Sequence, residues 1–164
     1  MRQSVEQSLK TKAEDDGMTF NAEINSIIRQ DLDWHGRMKE FGFAMMPRKL
    51  LKSIIERLDD NTLAMLGREA MVPLMKDMAE RWLHDSSPEG VLRCLGMRGR
   101  PYGDYITTVE REGDWCTIVH KDKYGPKWSL IIQAATREFV KKSFHAEPEI
   151  TVGESVVFSR FKVN

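Results

Sequence analysis

The run His120-Lys121-Asp122-Lys123-Tyr124-Gly125-Pro126-Lys127-Trp128-Ser129 holds the densest set of side chains in this chain able to do chemistry. Three lysines fall around Gly125-Pro126, where a helix can begin, and backbone N–H groups at a helix start attract an anion. Lys123 and Lys127 would hold a phosphate or carboxylate there, with Trp128 as a flat apolar wall. The other reading makes Gly125-Pro126 a turn, Trp128 a core residue and the lysines solvated charges. His120 with Asp122 has the makings of an oriented base, but Ser129 is an ordinary helix-start residue. No nucleophile elbow, phosphate-binding loop or glycine-rich dinucleotide turn accompanies them. The expectation is a protein that is not an enzyme and has no catalytic residues.

Metal and redox chemistry find little support. His35, His84, His120 and His145 show no i, i+4 pairing, which a metal site built on one helix requires. Cys94 and Cys116 stand in no CxxC or Cys/His pattern, so neither a disulfide framework nor zinc is indicated, and no cofactor is expected. Two isolated thiols suit a reducing cytosol. No window has the length and apolarity of a membrane span, and the first dozen residues lack the apolar stretch of a signal peptide. Cytoplasmic localisation without membrane association is the expectation.

The elements that must position these residues emerge from periodicity. Val5, Leu9 and Ala13 recur every four positions, and Gly17 sits where a left-handed helix stop belongs. Thr19 is a natural N-cap for a second helix whose stripe is Phe20, Ile24, Ile27, Ile28 and Leu32, with a continuation through Trp34 and Met38 to Gly42. Pro47 opens a helix carrying Leu50, Leu51, Ile54, Ile55 and Leu58. Asp60 or Asn61 caps the next, which Pro73 should kink or split. Ser86 with Glu89 reads as a capping box ahead of Val91, Leu92 and Leu95. The methionines concentrate in this helical middle, either as core filler or as an adaptable surface.

At residues 99 to 103 the character changes to glycine, arginine and proline, and the chain beyond residue 104 is rich in β-branched and aromatic residues. Tyr105 to Glu110 and Trp115 to His120 predict a hairpin around Glu112-Gly113-Asp114. A helix from Pro126 has Leu130, Ile131, Ala134, Phe139 and Val140 inward, and Glu149 to Val152 and Ser155 to Lys162 close a small antiparallel sheet. The fold class expected is α+β, organised as a helix pair over 1-42, a helical region over 43-98 and a ββαββ domain over 99-164.

The 164 residues, 41% of them hydrophobic, suffice for a proper core, and 25 basic residues balance 25 acidic ones. The balance is uneven along the chain. Residues 1–46 carry net −2 and 47–90 net −1, whereas 91–142 carry net +4 and 143–164 net −1. An anionic partner is more easily placed on the second half.

The stretch Leu9 to Ile24, with Gly17 closing one helix, Thr19 capping the next and Asn21-Ala22-Glu23-Ile24 opening it, resembles the two-helix portion of the Arc/MetJ ribbon-helix-helix family. That resemblance implies a homodimeric DNA-binding transcriptional regulator in which Thr19 and Asn21 lie beside a DNA phosphate. Family members read bases through a two-stranded ribbon in the major groove. Only Met1, Arg2 and Gln3 precede the first helix, so Arg2 and Gln3 would stand at the strand–helix junction. Either the start lies upstream, or the helices survive as a dimerisation unit without base readout. The C-terminal segment resembles, loosely, small ligand-sensing domains of heme and nitric-oxide regulators, which implies a sensing module; no residue carries over. The expected partners are a second copy, DNA and a small anionic ligand. The alternative is a ligand-sensing or protein-interaction module that uses the same helices only to dimerise.

Overall fold

The computed structural model describes residues 4–30, 32, 46–97 and 105–163. Arg2, Gln3 and the expected extension through Trp34 and Met38 lie outside them. The fold is α+β, with the helices mostly N-terminal and a four-stranded antiparallel sheet at the C-terminal end. The chain divides into two compact units, Met1–Met45 and Met46–Asn164.

In the first unit, α1 (Val5–Asp15) and α2 (Phe20–Gln30) form a helical hairpin. Ser4 caps α1 by accepting from the Gln7 amide. The stop is a Schellman motif: Gly17 N–H donates to the Glu14 carbonyl at 3.1 Å and Met18 N–H to the Ala13 carbonyl at 2.8 Å. That geometry needs Gly17 at φ +65°, where side chains are strained. Thr19 then caps α2, its hydroxyl accepting from the Ala22 amide at 3.2 Å.

The second unit begins with α3 (Arg48–Ile55) and α4 (Asp60–Leu66), followed by a π turn (Gly67–Met71) and α5 (Val72–Leu83). Asp59, not Asp60 or Asn61, caps α4, accepting from the Thr62 amide at 3.0 Å and the Thr62 hydroxyl at 2.6 Å. Pro73 sits in the first turn of α5, where its missing N–H is harmless, and the widened π turn just before it is how the helix splits. The cap of α6 (Pro88–Met97) is Ser87 rather than Ser86. Pro88 begins the helix, so the cap position falls on its immediate neighbour.

The hairpin of β1 (Tyr105–Glu112) and β2 (Trp115–Asp122) turns at Gly113, φ +57°. Helix α7 (Pro126–Phe144) then crosses to β3 (Glu149–Val152) and β4 (Val156–Lys162). Strand order is β1-β2-β4-β3, antiparallel throughout. Both of its strand pairs and the helix between them match the ββαββ pattern of the sequence.

Helix α7 is packed on two sides. Ser129, Ile132, Thr136, Phe139, Val140 and Phe144 are buried, in the i, i+3, i+4 spacing of one face. Ile131, a step around the helix, joins Ile55 and Leu63 in a cluster that Leu130 and Trp128 extend. The closest approach is at Gly67, where an added Cβ would lie 2.3 Å from the Ile131 carbonyl oxygen. Helical layer and sheet therefore share α7, and the change of composition at 99 to 103 falls inside the second unit.

Candidate functional sites

Around the start of α2, the charges are largely spent on the hairpin itself. The Lys12 ammonium bridges Asp16 at 2.5 Å and Glu23 at 2.7 Å, while Glu23 is buried. Hydrogen bonds to Asp16 and then Glu23 push the Lys12 ammonium well above the ordinary lysine range, so it stays charged. Lys10 pairs with Glu6 at 2.7 Å and lies 5.9 Å from the Phe20 ring centre. Thr19 and Asn21 are both exposed. What the open end of α2 offers an anion is thus exposed polar side chains and the positive end of the helix dipole, with the nearby ammonium groups already paired.

Among the described residues, the apolar stripe of α2 is covered only in part. Phe20, Ile24 and Ile27 are half-buried, and Ile28 and Leu32 are 50% and 66% exposed. Among the described residues of this unit, Ala13 and Glu23 alone are buried.

In the second unit, the two lysines singled out by the sequence part company. Lys123 is exposed on the turn between β2 and α7. Lys127 reaches back to α3, donating to the carbonyls of Glu56 (3.3 Å) and Leu58. That is the cation position favoured by a helix C-terminus. Trp128 is half-buried against the Ile55 and Leu63 cluster and tilts on Tyr124 with ring centres 4.9 Å apart. Lys127 and Trp128 therefore bind α7 to its neighbours.

The residues that the sequence offers as an oriented base, His120 and Asp122, form a polar layer beneath them with Thr107 and Ser129, and no hydrogen bond among the described residues joins the two. His120 is buried on β2, its Nδ1 2.9 Å from the Thr107 hydroxyl and its Nε2 3.4 Å from the Trp128 indole nitrogen. An indole N–H only donates, so Nε2 accepts and the proton sits on Nδ1, donating to Thr107. Tyr105 stacks on the imidazole at 5.7 Å. Asp122 is buried at the end of the same strand, and its Oδ1 accepts from the amides of Tyr124 (2.7 Å) and Gly125 (3.0 Å). The Asp-x-x-Gly-Pro run is an Asx-turn signature that was readable in the sequence. Asp122 Oδ2 and the fully buried Ser129 hydroxyl have no hydrogen-bond partner. No group of three or more potential metal-ligating side chains occurs among the described residues.

The opposite face of the sheet carries a recess of about 390 Å³ lined by Glu110, Glu112, Trp115, Thr117, Phe158 and Arg160. There the Arg160 guanidinium lies 4.5 Å and the Lys162 ammonium 5.4 Å from the Trp115 ring centre, in cation–π range.

Comparison of the chain with protein-family models and with curated proteins finds no match. Among the described residues, no helix is long and apolar enough to cross a membrane.

Proposed function

We propose that this chain is a homodimeric DNA-binding regulator of the ribbon-helix-helix kind, with Met46–Asn164 as its sensing or oligomerising unit. The observation that supports the reading is the state of α2: a capped, open N-terminus at Thr19, and an apolar stripe that, among the described residues, is half-buried at Phe20, Ile24 and Ile27 and exposed at Ile28 and Leu32. A pair of helices as short as α1 and α2 is marginal alone, and in this reading it gains cover for its stripe by pairing with a second copy. Thr19 and Asn21 then stand beside backbone phosphates. The reading places the protein in the cytosol, where Cys94 and Cys116, which form no disulfide, stay reduced.

The test is fluorescence anisotropy of the protein with its own promoter duplex and with a random duplex across a salt series. The expected result is promoter binding that weakens with salt yet keeps its preference. Absence of binding to both duplexes at low salt overturns DNA recognition. A second reading, a dimerising module without DNA contact, is favoured by the pairing of Lys10 and Lys12 with carboxylates. Asn21→Ala, which leaves the Thr19 cap in place, separates the two, since it weakens DNA binding only in the first and dimerisation in neither. A small anion on the Lys123 turn is part of the sensing proposal, and phosphate titration monitored by Trp128 fluorescence tests it.

A further inference from the structure

The face of the sheet turned away from α7 is covered by no described element of its own unit, and it is patterned. Inward residues of β2 and β4 are buried, whereas Ile106 and Phe158 on the other face are 45% and 40% exposed. Natural sheets tolerate one wet face when it is polar. This one instead holds an apolar half at the Ile106 end and a charged half at the Trp115 end.

The register sorts the charges by strand. Glu112 and Glu110 stand on β1, and Lys162 and Arg160 stand on β4, two strands away at the same levels, with Glu149 of the edge strand β3 beside Arg160. Strand β2 lies between them and contributes Trp115, Thr117 and Val119. No ion pair within 4.0 Å joins Glu110 or Glu112 to Arg160 or Lys162 in one copy; at about 4.8 Å per strand the flanks are roughly 10 Å apart.

We infer that this face packs on the same face of a second copy, about a two-fold axis running along β2. Such an axis keeps each residue at its level and exchanges β1 for β4. Glu112 then faces Lys162 of the second copy, and Glu110 faces its Arg160. The same operation sets Ile106 on Val156 and Thr108 on Phe158, with Val119 meeting its own copy on the axis. Acid meets base at the Glu112 and Glu110 levels, and Ile106 meets Val156 at the other end, the kind of self-complementarity that an isologous interface requires. Stacked sheets with nearly aligned strands are an established packing mode. Stacking on Trp115 holds the Arg160 guanidinium in place, which lowers the entropy lost when it pairs. Lys121 meets its own copy at the margin, where solvent screens the repulsion.

The inference does not depend on pairing through α2, and the experiment separates the two. Sedimentation velocity on the full chain, over a micromolar concentration series, should give an assembly whose mass halves in Phe158→Glu and in Glu110→Arg, each checked for native circular dichroism. Glu110→Arg with Arg160→Glu restores both cross-copy pairs, so association returns to within about threefold of the original, after a loss of about tenfold or more in either single variant. The same halving is expected in an Ile27→Asp background, where the α2 stripe is broken. Masses unchanged by Phe158→Glu and Glu110→Arg overturn the interface, as does a chain that is monomeric throughout. A double variant no better than the singles overturns the two-fold along β2.

Discussion

Replacing Gly67 with alanine puts two effects of known sign against each other. In a helix, alanine is favoured over glycine by about 1 kcal/mol. Against this, the new Cβ would meet the Ile131 carbonyl oxygen at 2.3 Å, and the Ala134 Cβ and Ala135 nitrogen at 3.0 Å. Two of those three atoms are backbone in the middle of α7, so no side chain can swing aside. The π turn and α7 must separate by roughly an ångström to restore ordinary contact distance. That separation opens the cluster of Ile55, Leu63 and Ile131 on one side or presses α7 into the sheet on the other. Overpacking of this kind costs about 1–3 kcal/mol, and the rigid partners place Gly67 at or above the upper end. The net expectation is destabilisation by about 2 kcal/mol, a fall in urea midpoint of roughly 1 M at an ordinary slope. Gly96→Ala is the control, because there the nearest atom is the Val109 Cβ at 4.0 Å; it should be neutral or slightly stabilising. Urea titrations followed by far-ultraviolet circular dichroism decide it. A Gly67→Ala protein as stable as its parent, with unchanged slope, refutes the close-packed crossing.

Gly17→Ala meets no atom within 4 Å, yet must adopt φ +65°. It should cost about 1 kcal/mol through backbone strain alone, read as lost helicity and protection of α1 and α2 in hydrogen exchange. Hydrogen bonds from the Thr62 hydroxyl and amide hold the Asp59 carboxyl below its usual value, so its contribution is complete above the ordinary carboxylate range and is lost as pH falls through the lowered value. Asp59→Asn keeps a cap and should flatten the acid side of a melting-temperature profile; an unchanged profile argues against the cap. Burial pushes the Cys116 thiol up, and Cys94 is buried too, so neither should react with a thiol reagent until urea unfolds the second unit. Rapid labelling of either in the native protein contradicts the packing of β2 or α6.

Legibility in the sequence tracks the range of the forces involved. The helices themselves, the Gly17 stop, the Thr19 cap and the Gly113 hairpin depend on neighbours a few residues apart, and they stand where the pattern puts them, whereas stripe positions such as Val5, Leu50 and Ile54 are exposed. Caps slip by one, to Asp59 and Ser87, because adjacent Asp and Ser residues compete for one position and only the full helix selects among them. For α7 the periodicity predicts one inward face. Its Leu130 and Ala134 turn instead to the helical layer while Ser129 and Thr136 face the sheet, a partition that depends on contacts some sixty residues away in the chain. The same distance hides the engagement of Lys127 by the α3 carbonyls. His120 and Asp122 are visible as residue types, but their pairing with Trp128 and the turn amides exists only once β2 and α7 are apposed.

The two units differ in what makes them fold. Met46–Asn164 has large buried side chains such as Phe139, Phe161, Leu63 and Met78, and α7 joins its helical layer to its sheet, so helices and strands should unfold together although their compositions differ. The hairpin of α1 and α2 has the reverse character. Its turn, caps and the exposed pairs of Lys10–Glu6 and Lys12–Asp16 are well formed, yet they specify geometry more than they supply free energy. What remains to drive it is the stripe from Phe20 to Leu32, and a stripe stabilises only when something covers it. If the proposed pairing through α2 covers that stripe, the apparent stability of α1 and α2 should rise with protein concentration; helicity of the hairpin that does not change with concentration argues against the pairing.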